Sequence, residues 1–383
     1  MFRDFYQSKR VFLTGHTGFK GSWLAEWLLS LGAEVHGYAL DPQPHERLFG
    51  QLELSGRLAG DTRADLADRQ ALSTALAAAR PDVVLHLAAQ PLVRLSYEIP
   101  VETFATNVMG TTHLLDAVRL AERPCTVVCI TTDKCYENRE WLHAYREEDP
   151  MGGHDPYSAS KGAAELVIAS YRQSFFPPAS GIRLASARAG NVIGGGDWAL
   201  DRIVPDCIRA LRKGEAIPVR NKIATRPWQH VLEPLGGYLH LAASLATDPR
   251  THGLTDSPNH RDTEAPTHRT TGLLASAFNF GPNLASNRTV AELVQELLKH
   301  TGGTWTDASD PAARHEASKL NLATDKAFHL LEWQPVWDFA QTLRATAEWY
   351  LGEERGESPL DLTRTQIAAY HHAAADKAIA WAR

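Results

Sequence analysis

Arg10-Val-Phe-Leu-Thr-Gly15-His-Thr-Gly18-Phe-Lys-Gly21-Ser-Trp-Leu24 decides the fold. Arg10 to Thr14 has the composition of a short strand, the glycines form a turn, and Trp23 to Leu31 form a helix stopped at Gly32. Glycines in such a turn allow a tight bend and close backbone approach. The helix that follows offers free N–H groups to a pyrophosphate. The spacing is GxxGxxG rather than GxGxxG, a variant of the dinucleotide-binding turn. Gly15, Thr17, Gly18, Phe19 and Gly21 are therefore candidate cofactor contacts.

Working outward, strand patterns recur at 34–40, 82–87 and 125–132, with helical patterns at 69–79, 107–121 and 158–175 between and after them. Such alternation predicts an α/β fold, a Rossmann-type doubly wound parallel sheet covered on both faces. After Asn191 the rhythm breaks into shorter, mixed elements, and regular helices resume at 290–300 and 338–351. This organisation predicts a dinucleotide-binding domain over 1–192, to which a segment near 223–247 returns. A smaller, mixed C-terminal substrate-binding lobe is expected over 193–222 and 274–383. Residues 248–273 are polar and patternless, and read as an exposed insertion.

Composition narrows the function classes. The chain has 383 residues, 44% hydrophobic and 22% charged, an ordinary globular balance. No apolar run approaches the ~18 residues of a membrane span, and the first residues lack a signal-peptide pattern. Four cysteines are too few for a disulfide scaffold and show no zinc spacing. A cytoplasmic protein without a metal is expected. The net charge of −6, with no basic run, argues against nucleic acid as a partner. Asp41 lies just past the second strand and no arginine directly follows that strand, the nearest being Arg47; NAD is favoured over NADP. Asp65 and Leu66, after a short third strand, are candidates for the adenine end, or else a helix cap.

The chemistry is carried by Tyr157-Ser-Ala-Ser-Lys161, two ionisable side chains on one helical face. The pair lies about 140 residues beyond the glycine turn, behind a strand ending in Thr131-Thr-Asp-Lys134. A tyrosine titrates near ~10, so a nearby ammonium is needed to favour the phenolate. Such a tyrosine takes the proton of a hydroxyl while the carbon gives hydride to NAD.

These features together resemble an extended short-chain dehydrogenase/reductase acting on nucleotide sugars, over nearly the whole chain. Within that superfamily the chain most resembles the CDP-glucose 4,6-dehydratases. The likeness rests on Gly15-His-Thr-Gly-Phe-Lys-Gly-Ser-Trp-Leu24, Ala88-Ala-Gln-Pro-Leu-Val-Arg94, Thr131-Thr-Asp-Lys-Cys-Tyr-Glu-Asn138, Arg188-Ala-Gly-Asn-Val-Ile-Gly-Gly-Gly-Asp-Trp198 and Arg226-Pro-Trp-Gln-His-Val-Leu-Glu-Pro234. It implies Thr132, Tyr157 and Lys161 as the oxidising set, and Asp133 and Lys134 as the dehydrating pair. It implies further NAD contacts at Leu87, Ala88, Ala89 and Thr106. Gln90, Asn191, Arg202, Arg226, His230 and Asn279 would hold the CDP-glucose substrate. A homodimer, or a dimer of dimers, packed through helices at about 102–119 and 157–175, is also implied. Phe278 departs from the tryptophan expected there, and the insertion is longer than usual.

The dehydrating pair poses a problem. As an acid, Asp133 has to hold a proton that a neighbouring ammonium drives off. As a base, Lys134 has to be neutral beside a carboxylate that keeps it charged. Either burial offsets this opposition, or the two share one proton as a coupled unit, or Lys134 stays charged and stabilises an enolate. An epimerase, a dehydratase of another nucleotide sugar, and a non-catalytic NAD-responsive binding protein are the alternatives. The charged pair counts against an epimerase, and the intact Tyr157 and Lys161 against a binding protein.

Overall fold

The computed structural model describes residues 2–248, 273–309 and 319–383. Seven parallel strands form the central sheet: β1 (Arg10–Thr14), β2 (Glu34–Ala39), β3 (Gly60–Arg63), β4 (Val83–His86), β5 (Cys125–Ile130), β6 (Ile182–Ala189) and β7 (Ala277–Phe280). Their order is β7-β6-β5-β4-β1-β2-β3, so the order in which strands are added reverses between β1 and β4. In register, Leu13 faces Gly37 of β2 on one side and Leu85 of β4 on the other.

Alternation along each strand builds two cores. Val11, Leu13, Val83, Leu85, Val128 and Ile130 enter one. Phe12, Val84, Val127 and Cys129 enter the other. Successive side chains point to opposite faces, so a strand buried on both must be apolar throughout. The second core is closed by α2 (Arg69–Ala79), α3 (Gly110–Leu120) and α4 (Pro156–Ser174). Across the sheet lie α1 (Phe19–Ser30), α5 (Ile203–Arg212), α6 (Leu232–Thr247), α7 (Val290–Thr301), α8 (Phe339–Glu354) and α9 (Pro359–Asp376).

The expected boundary at 274 moves. Residues 277–280 are not part of a separate lobe but extend the central sheet, pairing with β6 from Ala277↔Ser186 to Phe280↔Ala189. The C-terminal helix α9 likewise returns to α1, with Tyr370 edge-on to Trp27 at 5.8 Å. Helix α6 packs against β5 and β6. Its sequence, Leu-Glu-Pro-Leu-Gly-Gly-Tyr-Leu-His-Leu-Ala-Ala, is apolar nearly all round and so shows no stripe. The short ribbon of Thr225–Pro227 against Asn287–Thr289 is antiparallel. Apart from Asp248 and Leu273, the expected insertion lies outside the described residues. Among the described residues, no helix is long and apolar enough to cross a membrane.

Candidate active site

The loops after β1, β4, β5 and β6 gather at the carboxyl edge of the sheet, where an open α/β sheet binds its ligands. The glycine turn is a close-packed cradle. Gly15 has φ +74°, and a Cβ there would lie 2.7 Å from the Ala88 nitrogen. At Gly21 a Cβ would lie 2.0 Å from the Gly15 carbonyl oxygen. Gly18 caps α1 with no side-chain hydrogen bond, whereas α2 and α4 are capped by Asp68 and Asp155. The first-turn N–H groups of α1 thus remain open to an anion. Thr17 is buried and donates to the Leu40 carbonyl at 3.2 Å. Phe19 packs against Gly194.

A residue outside the expected set locks this turn. His16 is wholly buried, its Nε2 lies 2.9 Å from Asp61 Oδ1, and its ring fills the space above Gly37. Burial lowers its pKa, with Asp61 opposing. Arg63 reaches the end of β2 from β3, a position that inspection of β2 alone misses. It is held there by Asp61 at 2.8 Å and by the Leu40 carbonyl at 3.4 Å. Asp41 is exposed. Asp65 accepts from the Ala67 N–H at 2.8 Å. Leu66 turns its side chain into the core and its carbonyl to His113, so any contact with adenine falls to its backbone.

Beyond β4, the Leu87 and Ala88 N–H groups donate to the Thr14 carbonyl and hydroxyl, both at 3.2 Å. The next residue, Ala89, leads into Gln90. The Gln90 side chain is spent locally, donating to Thr103 and Leu92 and accepting from the Leu92 N–H. Thr106 is half-buried in a π-turn over Ala105–Met109. Its neighbour Asn107 joins Gln90 to Ser160 of α4.

The catalytic candidates meet at the end of β5. Asp155 caps α4, and Gly162 and Gly153 let the helix approach the 135 and 152 backbones closely. Tyr157 and Lys161 are buried and Tyr157 is hydrogen-bonded to Thr132. Burial pushes the Tyr157 phenol well up, and the strongest cation opposing it is Arg202 rather than Lys161. Lys161 instead donates to the Ile130 carbonyl at 3.4 Å, and burial lowers its amine to about 8 against the pull of Glu165.

Asp133 is 1% exposed. Its Oδ1 accepts from Thr132 at 2.9 Å and from Lys134 Nζ at 3.3 Å. The other oxygen, Oδ2, is buried without a hydrogen-bond partner among the described residues, facing Gly190. Behind it stands a second network that sequence reasoning missed. Glu165 accepts from Thr131, from Ser186 at 2.8 Å and from Arg188 at 2.9 Å. Arg188 continues to Tyr136 at 2.7 Å, and Tyr136 donates to Asn279 Oδ1 at 2.8 Å.

This network corrects one expected substrate contact. Asn279 is fully buried, and its Nδ2 donates to the Tyr145 and Ala323 carbonyls, so its amide is wholly committed inside the protein. His230 is a second correction. It has no exposed surface, is clamped edge-on by Trp23 and Trp337, and is lowered to about 3 by burial. Both are struts beneath the site. Gln90 aside, the remaining three stay near the cleft. Arg202 pairs with Asp197 at 2.9 Å and acts on Tyr157. Asn191 keeps a buried Oδ1 without a partner, and Arg226 donates to the Thr225 carbonyl from the ribbon beside Asn287. Lys20, absent from the expected set, also faces this cluster. Among the described residues no group of histidine, cysteine and acidic side chains is placed to hold a metal.

Comparison with known proteins agrees with this geometry. The family model for GDP-mannose 4,6 dehydratase matches residues 12–346. A CDP-glucose 4,6-dehydratase of Salmonella typhimurium is 44% identical over 373 residues, covering 96% of this chain and 98% of the relative. The dTDP-glucose 4,6-dehydratase DesIV of Streptomyces venezuelae, solved with NAD and TYD bound, superposes with a TM-score of 0.73 at 22% identity. That match covers 92% of this chain and 99% of DesIV. A UDP-glucose 4-epimerase of Thermotoga maritima, solved with UDP-glucose, gives 0.71 at 20% identity over 90% and 99% of the two chains. With a glycine cradle, a buried Thr-Tyr-Lys set and a charged pair at one sheet edge, the chain belongs to the GDP-mannose 4,6 dehydratase family.

Proposed function

We propose that the chain is an NAD-dependent 4,6-dehydratase, a hydro-lyase converting CDP-glucose to CDP-4-keto-6-deoxyglucose. The observation that carries this reading is the Asp133–Lys134 pair beside Thr132 and Tyr157, with one carboxylate oxygen left open. The cradle at Gly15, Gly18 and Gly21 fits a dinucleotide, since a side chain at Gly15 or Gly21 would strike the backbone of residues 87–88 or 15–16 and spoil the turn that offers the α1 N–H groups. Thr17, Phe19, Leu87, Ala88, Ala89, Thr106 and the Asp65–Leu66 backbone complete the proposed NAD contacts. When bound, NAD supplies a hydride acceptor for sugar C4 and a donor for C6.

The chain's residues handle the protons. Tyr157, with Thr132 hydrogen-bonded to it, takes the C4 hydroxyl proton. The ketone so formed acidifies C5–H. Asp133 and Lys134, 3.3 Å apart, act as one coupled unit. A proton lost from C5 enters the pair and one leaves it with the C6 hydroxyl as water, so the pair ends with the charge it began with; as hydride reaches C6, C5 regains a proton, which balances the one Tyr157 took from the C4 hydroxyl. Asn191, Arg202 and Arg226 face the nucleotide diphosphate, for which planar guanidinium forks are suited. Burial and Asp133 hold the Tyr157 phenol up, while Thr132, Arg202 and the positive ring of bound NAD would favour its ionised form.

Assembly follows from an apolar face. Val101, Met109, Leu166 and Phe175 are 74, 48, 62 and 46% exposed around α3 and α4. A second copy packed there gives the proposed homodimer. The reading places the enzyme in the cytoplasm, supplying a deoxysugar precursor for surface polysaccharide such as lipopolysaccharide.

Purified protein incubated with NAD and CDP-glucose should generate the alkali-induced ultraviolet absorbance of a 4-keto-6-deoxy sugar, with little from dTDP- or UDP-glucose. Absence of that product from every sugar nucleotide, with NAD shown bound, refutes the dehydratase reading. Light scattering of the protein and of Leu166→Lys tests the dimer, which the substitution should split.

A further inference from the structure

One amine at this site has no task in the dehydration. Lys20 lies in the first turn of α1, directly after the glycine turn, and is half-buried. The α1 start packs on the loop that carries Arg202, through Phe19 against Gly194 and the Trp23 indole donating to the Gly195 carbonyl at 2.9 Å. Among the described residues the Lys20 amine makes no hydrogen bond and no ion pair. The charges that act on it come from three elements: Arg202 before α5, Asp133 and Lys134 after β5, and Lys161 on α4.

Its neighbours are better compensated. Arg202 has Asp197 at 2.9 Å and Lys134 has Asp133 at 3.3 Å. Lys161 has the Ile130 carbonyl and the charge of Glu165. Burial, with Arg202 and the two other lysines against Asp133, brings the Lys20 amine down to about 7. Near neutrality it is therefore divided between its two charge states.

The groups around Lys20 are those of the reacting end of the site. Tyr157 and Lys161 require the nicotinamide beside the sugar C4, so the nicotinamide comes within the field of Lys20. That ring is positively charged when oxidised and neutral when reduced, whereas the pyrophosphate charge is the same in both forms. Resting on the NAD-dependent reading above, we propose that Lys20 sets the balance between oxidised and reduced cofactor in this site, its unpaired ammonium disfavouring the cationic ring. The consequence is directional. Sugar oxidation is drawn forward, and the reduced cofactor is held while water is eliminated.

The test compares dissociation constants of NAD+ and NADH for the wild type, Lys20→Met and Lys20→Arg, by fluorescence titration between pH 6 and 9. The pyrophosphate contribution cancels in the ratio Kd(NAD+)/Kd(NADH). Loss of the ammonium in Lys20→Met should lower that ratio about tenfold at pH 6, close to 1.4 kcal/mol. In the wild type the ratio should fall as rising pH removes the Lys20 proton from the two cofactor complexes. Lys20→Arg should keep it high across the range. Lys161 and Tyr157 are present in all three proteins, so the Met variant reports their share of any pH dependence. Equal weakening of both forms in Lys20→Met would make Lys20 a pyrophosphate clamp and overturn the proposal. So would an Arg variant whose ratio falls with pH as the wild type's does. If the wild type binds neither form, the NAD reading itself fails, a result distinct from an unmoved ratio.

Discussion

Two ion pairs flank the end of β5, and they are closed to different degrees. In the rear pair both oxygens of Glu165 are engaged, by Thr131, Ser186 and Arg188, and Arg188 passes its bonds on to Tyr136 and the Glu147 carbonyl. In the front pair Asp133 Oδ2 is buried and unpartnered, and Lys134 keeps 24% of its side chain exposed. Burying an acceptor without a partner costs about 1–3 kcal/mol. A protein that satisfies one carboxylate so completely and leaves its neighbour open has separated scaffold from chemistry. The rear pair fixes the Thr131–Tyr136 segment, and in the proposed reaction the front pair keeps an oxygen for an incoming hydroxyl.

The largest expected effect breaks the front pair alone. Asp133→Asn and Lys134→Met should each slow keto-sugar formation by roughly 10²–10⁴-fold, the usual worth of acid–base catalysis. The melting temperature should move by less than about 3 °C. An Asp133→Asn protein that unfolds while keeping its specific activity would erase the distinction between the pairs. For the rear pair the expectation reverses. Arg188→Met leaves Glu165 charged and unpaired in the core, costing about 3–5 kcal/mol in urea unfolding. Adding Glu165→Leu to it should recover much of that loss, since two apolar groups need no partner.

A third buried carboxylate sharpens the contrast because, among the described residues, no cation forms an ion pair with it and Lys377 acts on it only weakly. Glu233 accepts from the Val336 and Trp337 N–H groups and from the Tyr370 hydroxyl. Burial pushes its carboxyl up from 4.5 to about 7. Glu165 goes the other way: burial raises it, but Arg188, Thr131 and Ser186 together hold it below its ordinary value. The signs follow from proton binding. Folded protein holds the Glu233 proton more tightly than unfolded protein, so this stability is full below about pH 4.5 and lost as pH rises through about 7. The Glu165 contribution is present at neutral pH and lost only as pH falls through its depressed value. Glu233→Gln should therefore remove roughly 3 kcal/mol of pH dependence between pH 4.5 and 8, read as the difference from wild type in urea midpoints. Identical pH profiles for the two proteins would show that Glu233 is not held protonated.

How much of this was readable from sequence depended on distance along the chain. The β1–α1 turn was legible because every constraint on it is local: strand, glycines and helix follow within about twenty residues. Helix α6 was not, because it is buried on nearly every side and shows no polar face. Strand β7 was assigned to the lobe because its parallel pairing with β6 joins Ala277 to Ser186, a contact no window can see. At the site, Tyr157 and Lys161 are legible from their spacing on one helical face, whereas Thr132, Asp133 and Lys134 are expected only from the resemblance; the fold brings these residues together at the end of β5. His230 and Asn279 were misassigned because a matching string gives a residue's identity and not its direction. Lys20 was passed over for the same reason, as one more residue of a turn.

The smallest effect tests that last distinction directly. Tyr136→Phe deletes the hydroxyl that joins Arg188 to Asn279 and leaves the rest of the rear network in place. The guanidinium keeps Glu165 and the Glu147 carbonyl, while Asn279 keeps both Nδ2 bonds and loses only its Oδ1 donor. One buried acceptor without a donor should cost about 1–2 kcal/mol. Because Asn279 acts from inside the protein, KM for CDP-glucose should stay within about twofold and the loss should appear only in stability. A rise in KM of tenfold or more with unchanged melting would return Asn279 to the substrate, and would mean that the rear network reaches further toward the cleft than its burial shows.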